Sequence, residues 1–264
     1  MGIYPPYQKP PRWNCDLGTI AYNCARMGLP GLGEGLALAM PMWERAGNKV
    51  YDYSGNQNHG VITTPNWQKN GLYFNGSNGI DIPDSSSLDI NSNKITMFAI
   101  CESTDYQNDK IIIEKGGWDT GTYQIVSGGD FWKFNIQTDP AEAHAPAMTY
   151  NRKYVIVGLY DSTHLYIYEN GVDVTTSDEP TTANIGENSG DLTIGYRLGG
   201  SNYFTGWIYA ACLWDTALTH SQIVTLSANP YGMFEPIRRV LWKVPAAGGL
   251  SIPVAMHHYR QQRL

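Results

Sequence analysis

Charge is scarce in this chain. Of its 264 residues only 16% are Asp, Glu, Lys or Arg, and the 24 acidic against 18 basic residues leave a formal net charge of −6. A surface of that kind offers no basic stripe for a phosphate backbone, so nucleic acid is excluded as a partner. No apolar run reaches the length of a membrane span, and "MGIYPPYQKPPRW" has no apolar stretch of the secretory type, so neither a membrane anchor nor export by a signal peptide is expected. Gly2 lacks the downstream Ser or Thr of a myristoylation site. Cysteine is limited to Cys15, Cys24, Cys101 and Cys212, with no C-x-x-C pair. Cys101 and Cys212 sit inside apolar runs and read as small buried hydrophobes. Cys15 and Cys24 are close enough to pair, but reduced thiols are the expectation for a chain made in the cytosol.

Catalytic signatures are missing as well. The sequence has no G-x-S-x-G, no H-E-x-x-H and no phosphate-binding glycine loop. The paired carboxylates of a glycosidase, as E-x-D-x-E on one strand, are also absent. Glu102 with Asp105, and Glu187 with Asp191, read as solvated surface. His257 and His258 are adjacent on an extended segment and point apart, which argues against a metal. His59 and His164 read as loop or strand residues bonded to backbone. The chain is therefore expected not to be an enzyme.

What the chain does have is aromatic and β-branched material, with 18 Tyr, 8 Trp and 42% hydrophobic residues. Short strand-like segments recur with turn signals between them: "GLYFNG", "GIDIP", "KITMFAICEST", "DKIIIEKGG", "TYQIVSGG", "FWKFNIQT", "KYVIVGLY", "HLYIYENGVDV", "DLTIGY" and "FTGWIYAACLW". This pattern predicts an all-β antiparallel sandwich of the jelly-roll kind. Asn170-Gly171 fits a type I′ hairpin turn. One helix is predicted after Trp214. There Thr219 and Gln222 form a capping box, Leu218 and Ile223 a hydrophobic staple, and Asn229-Pro230 the stop.

Three regions follow. Residues 1–37, rich in Pro and Gly, are expected to be an extended arm; 38–234 form the sandwich; 235–264, with five basic residues to one acidic, are expected to be a docking tail. The stretch "YDYSGNQNHG" at 51–60 is too short for a linker and too irregular for a helix. Its Asp52, Ser54 and Asn56 have the chemistry to cap turns through side-chain to backbone bonds.

"PMWERAGNKVYDYSGNQNHG", "GLYFNGSNGIDIP", "YIYENG" and "LTIGYR" followed by "FTGWIYAACLWDTALTHSQI" together resemble a laminin G-like domain of the concanavalin A-like jelly-roll group. The similarity runs over about residues 38–230. It implies that the 51–60 loop lies at an end of the sandwich, where many relatives hold a structural calcium; Asp52, Asn75, Asp81 and Asp215 are the matching candidates, beside the turn-capping alternative. The flank "ANPYGMFEPIRR" is similar to proteins of tailed bacteriophages. That likeness implies a virion structural or decoration protein, made in the host cytoplasm. It would be mounted on other virion proteins through arm and tail, assembled as a homo-oligomer, and used for host adhesion. The alternatives are a glycan-binding adhesion module outside a virion and an accessory domain of a polysaccharide-degrading enzyme.

Sugar recognition needs an aromatic face and fixed polar partners. "KGGWDTGTYQ" offers Trp118, Asp119 and Tyr123, and "GYRLGGSNYF" offers Tyr196, Arg197, Asn202 and Tyr203. Trp132, Trp207 and Trp214 instead fit the inward alternation of strands.

Overall fold

A computed structural model of the chain describes residues 17–69, 71–117, 123–136, 142–177, 181–182 and 184–235. Among these the strands are β1 (Leu36–Met40), β2 (Lys49–Val50), β3 (Gly60–Thr63), β4 (Trp67–Gln68), β5 (Gly71–Asn75), β6 (Gly79–Ile82), β7 (Ile95–Ser103) and β8 (Gln107–Lys115). They continue as β9 (Tyr123–Gly129), β10 (Phe131–Asn135), β11 (Glu142–Ala147), β12 (Tyr154–Tyr160), β13 (Leu165–Glu169), β14 (Val172–Asp173), β15 (Leu192–Ile194) and β16 (Thr205–Trp214). Helices α1 (Leu17–Arg26) and α2 (His220–Ala228) flank them.

The strands make two antiparallel sheets. The first runs β14-β13-β12-β7-β16-β5-β4, with β1 also paired to β16; the second runs β11-β10-β9-β8-β15-β6-β3-β2. Side chains such as Phe74, Ile80, Met97, Ile113, Trp132 and Phe134 fill the space between them. This is the β-sandwich expected from the strand pattern.

The two sheets differ in what covers their outer faces, and the sequence carries that difference. β7 and β12 are apolar at almost every position and are buried on both faces. Runs of that kind mark strands enclosed from both sides. Phe98, Ile100, Val157, Cys212 and Trp214 lie beneath Ile20, Leu32, Ile223, Leu226 and Phe234 of the helical layer. In contrast β3 and β10 alternate, with Val61, Phe131 and Lys133 turned outward. The outer face of the second sheet is thus the one that carries polar chemistry.

The N-terminal region departs from expectation. Residues 17–35 were assigned to an extended arm, but Leu17–Arg26 is helical, and Ile20, Cys24, Leu29 and Leu32 bury against the first sheet. Asn23 Nδ2 donates to the carbonyls of Met233, at 3.1 Å, and Glu235, and Trp214 Nε1 donates to Leu32 O at 2.7 Å. The apolar spacing Ile20, Cys24 is one helix face, hidden in sequence between a Pro-rich start and the Gly-rich "GLPGLGEG". Residues 1–16, with Cys15, and the tail from 236 lie outside the described residues.

Other local readings hold. Asn170 and Gly171 both take positive φ, 52° and 84°, between the paired β13 and β14. Thr219 caps α2, with Gln222 reciprocating. Cys101 and Cys212 are buried thiols, and burial pushes both far up from the ordinary thiol value. One reading fails: Glu102 is not solvated surface but half-buried, and it accepts a bond from Tyr209 Oη at 3.0 Å.

The 51–60 loop completes an edge. β1 pairs on one side only, with β16. Its other side is met by side chains and one turn of backbone. Asp52 Oδ1 accepts from Ala39 N at 2.9 Å, and Tyr53 N donates to Ala39 O at 2.9 Å. The Ala37 carbonyl accepts from Asn56 Nδ2 and Asn58 Nδ2, both at 3.0 Å, and from Ser54 Oγ at 3.2 Å. Polar residues stand here because they saturate a strand edge that no further strand covers among the described residues.

Candidate functional site

On the outer face of the second sheet a polar row crosses six strands. Asp81 on β6 pairs in register with Thr193 on β15, Thr193 with Glu114 on β8, Glu114 with Gln124 on β9, Gln124 with Asn135 on β10, and Asn135 with Glu142 on β11. Opposed strand residues share a face, so these side chains lie together. Each is bound by a neighbour rather than left to water.

The segment after β15 folds back over this row. Arg197 Nε donates to Glu114 Oε1 at 3.0 Å and Nη2 to Gln124 Oε1 at 3.2 Å. The Glu114 side chain is 0% exposed. An arginine fork on a buried carboxylate and amide is a rigid clasp, because its planar donors fix direction as well as distance.

Beside the clasp, two tyrosines are layered. The rings of Tyr196 and Tyr203 are stacked, with centroids 5.3 Å apart and planes inclined by 13°. Tyr196 also lies against Gly79, where any Cβ would collide with the ring. Gly79 and Tyr203 thus both pack on Tyr196, and Tyr203 is half-buried. Tyr196 Oη donates to Asp81 Oδ1, and Thr63 Oγ1 reaches Asp81 Oδ2 at 3.3 Å. Burial, then the Asp81 carboxylate, pushes the Tyr196 phenol well above its ordinary value, so it stays a donor.

A second aromatic lies further along the face. Phe131 covers Gly128 as Tyr196 covers Gly79. The His144 ring rests against Phe131, centroids 5.0 Å apart. Lys133 Nζ is 3.1 Å from Glu142 Oε1 and 3.6 Å from Asp109 Oδ1, and His144 Nε2 is 2.9 Å from Glu142 Oε2. Burial opposes the charge on Glu142, but the bonds to His144 and Lys133 outweigh it and hold the carboxyl below its ordinary value.

A family profile described as the concanavalin A-like lectin/glucanases superfamily matches residues 74–224, a span that includes the clasp and both aromatic layers. The chain belongs to this superfamily. A search of the curated proteins gives no match. Solved structures share the superfamily fold. A Trypanosoma rangeli sialidase in complex with 2,3-difluoro-KDN aligns at 16% identity and TM-score 0.60, over 75% of this chain and 33% of its own, so the chain spans about a third of that enzyme. A structure of botulinum neurotoxin type C, whose cell entry depends on interaction with two ganglioside molecules, aligns at 13% identity and TM-score 0.56, covering 75% of this chain and 52% of that one. Domain 4 of the Geobacillus stearothermophilus arabinanase AbnA, in complex with arabinotriose, aligns at 16% identity and TM-score 0.56, covering 73% of this chain and 98% of that one. At these identities the likeness is one of fold.

Within this lectin/glucanase fold the expected site residues separate clearly. Tyr196, Arg197, Asn202 and Tyr203 come together at one rim of the second sheet. Tyr123 does not join them: it is buried in the core, and its Oη donates to Leu88 O at 2.8 Å. Its register partner Lys115 also turns inward, so the aromatic ring fills the interior near the sandwich end. Trp118 and Asp119 lie outside the described residues. Phe131, Lys133, Glu142 and His144 were not singled out, although the outward alternation of "FWKFN" carried a signal for the first two.

The calcium candidates do not fit an ion as arranged. Asp52 Oδ1 already accepts from the backbone of Ala39 and Ser54, and Oδ2 from Ser54 Oγ at 2.7 Å and Asn58 N at 3.0 Å. Asn75 Oδ1 caps the turn at Ser77, and Asp81 serves Tyr196. No group of three or more His, Cys, Asp or Glu gathers among the described residues, whereas calcium takes six to eight oxygens. Turn capping is the role the geometry gives Asp52.

Proposed function

We propose that this chain is a glycan-binding module that recognises sugars at the rim of the second sheet. The observation that carries the reading is the Tyr196–Tyr203 stack, packed against Gly79, next to a polar row held in place by Arg197. The ring of Tyr203 offers a flat apolar face to the C–H side of a pyranose or furanose, and Asn202, Asp81 and Arg197 supply fixed groups around it. Superfamily membership supports the reading, as do structural neighbours that include a sialidase–ligand complex, a ganglioside-dependent neurotoxin and an arabinotriose complex.

Binding without turnover is part of the proposal. Glu114 is buried under Arg197, and Glu142 is shared by Lys133 and His144, so neither is posed as a glycosidase acid or nucleophile. A glycan array probed with the full chain and with Tyr203→Ala tests both points. Binding that falls roughly tenfold or more in the variant supports the site. An array with no binder, or a variant that binds equally, sinks it, and release of reducing sugar from a bound polysaccharide sinks the non-catalytic reading.

The finer reading is a phage virion component that displays this module for host adhesion, as a homo-oligomer. Its support is the resemblance of "ANPYGMFEPIRR", whose last four residues lie beyond the described residues. The α1 helix, packed on its own domain, takes residues 17–35 out of the docking argument, whose N-terminal part then rests on residues 1–16. Deleting residues 236–264 should leave the sandwich folded and abolish incorporation into particles; normal incorporation overturns the assignment.

A further inference from the structure

The outer face of the second sheet has two aromatic platforms, and their separation bears on what the ligand is. Tyr196 and Tyr203 rise over Gly79 of β6; Phe131, backed by His144, lies over Gly128 of β9. Two strands, β15 and β8, lie between β6 and β9. Three spacings of about 4.8 Å put the platforms roughly 14 Å apart across the sheet. One sugar ring cannot touch both.

The charges around the platforms are neutralised. Between them Arg197 is clasped to Glu114 and Gln124, and beside Phe131 Lys133 stands between Glu142 and Asp109. A ligand carboxylate would have to strip one of these cations from its partner, leaving a buried or half-buried acid uncompensated. Hydroxyl groups can bond to the outer atoms of such pairs without breaking them.

We infer that the ligand is a linear, uncharged oligosaccharide long enough to lie on Tyr203 and Phe131 at once, rather than a single terminal sugar or a sialylated one. The inference rests on the glycan-binding reading above and specifies its substrate class. Tyr203 anchors one unit, and Phe131 takes another further along the same chain.

Titration calorimetry of the full chain separates the possibilities. The probes are arabino-, xylo- and gluco-oligosaccharides of one to six units, with lactose against sialyllactose as the charged arm. Affinity is expected to rise at least tenfold between two and six units of the preferred series, and sialyllactose to bind no tighter than lactose. Phe131→Ala should bring the six-unit affinity down to that of the two-unit ligand. Phe131→Leu, which keeps bulk over Gly128 and lacks the ring, should do the same if the ring is what binds, with thermal unfolding confirming that both variants fold. A length-independent affinity, tighter binding of sialyllactose, or unchanged long-chain binding in the two folded variants overturns the inference and leaves the module reading intact. Absence of binding across all the probes and the array removes both.

Discussion

Arg197 and Glu114, 83 residues apart in the chain, form a buried ion pair with Nε and Oε1 3.0 Å apart that fastens the rim segment to the outer face of the second sheet. The pair holds one charge for the other in a place where neither is solvated. Removing either partner leaves the survivor stranded. Arg197→Ala or Glu114→Ala should each destabilise the fold by about 3 to 5 kcal/mol, while the double replacement Arg197→Met with Glu114→Leu should cost much less than the sum. Urea denaturation of the four proteins checks this, and additive losses would show that the two do not act as a pair.

Next to Glu114 on β8 but turned to the inner face, Lys115 is fully buried with its ammonium 2.5 Å from Asp84 Oδ1, 2.7 Å from Asn188 O and 2.6 Å from Gly190 O. One side chain ties the segment after β6 to the segment before β15. Lys115→Met should cost about 3 kcal/mol, near the low end for a broken buried pair because Asp84 keeps contact with water. A variant as stable as the parent in denaturant would show that the tether contributes nothing.

Asp52 gives a prediction about metal. With its carboxylate spent on four donors, calcium or a chelator should leave the melting temperature unchanged. Asp52→Ala should lower stability by about 3 kcal/mol, since buried N–H groups of Ala39, Ser54 and Asn58 lose their acceptor. A melting temperature that rises with millimolar calcium and returns with chelator would count against the capping role.

The Glu142 carboxyl is held below its ordinary value in the folded chain, from 4.5 downward. Such a group stabilises the fold above its unfolded value and loses that contribution as pH falls through the folded value. The parent protein should therefore lose stability as pH drops below the ordinary carboxylate range. Glu142→Gln should be less stable at neutral pH and show a flatter acid limb. Stability followed against pH for both proteins decides it; parallel curves would mean that His144 and Lys133 give Glu142 no preference for its charged form.

Local grammar was legible in the sequence. Asn170-Gly171 demanded a hairpin, Thr219 with Gln222 a helix start, and the contrast between "KITMFAICEST" and "FWKFNIQT" already encoded which sheet is covered. The first helix was hidden because Pro and Gly on either side outweigh a single apolar stripe, and only burial against the first sheet makes that stripe decisive. Tyr123 was misplaced because a loop neighbour in sequence became an inward strand position once the β8–β9 register was set. The Arg197 clasp and the Phe131 platform depend on pairings between distant strands, and no spacing along the chain announces those.

The bonds from Asn23 to the carbonyls of Met233 and Glu235 bring residues near both limits of the described chain to one spot on the helical side of the molecule. The Tyr203 and Phe131 rings lie on the opposite side, over the outer face of the second sheet. A label placed on the helical layer should therefore leave the rings open to solution, whereas coupling through lysines such as Lys133 would blind them.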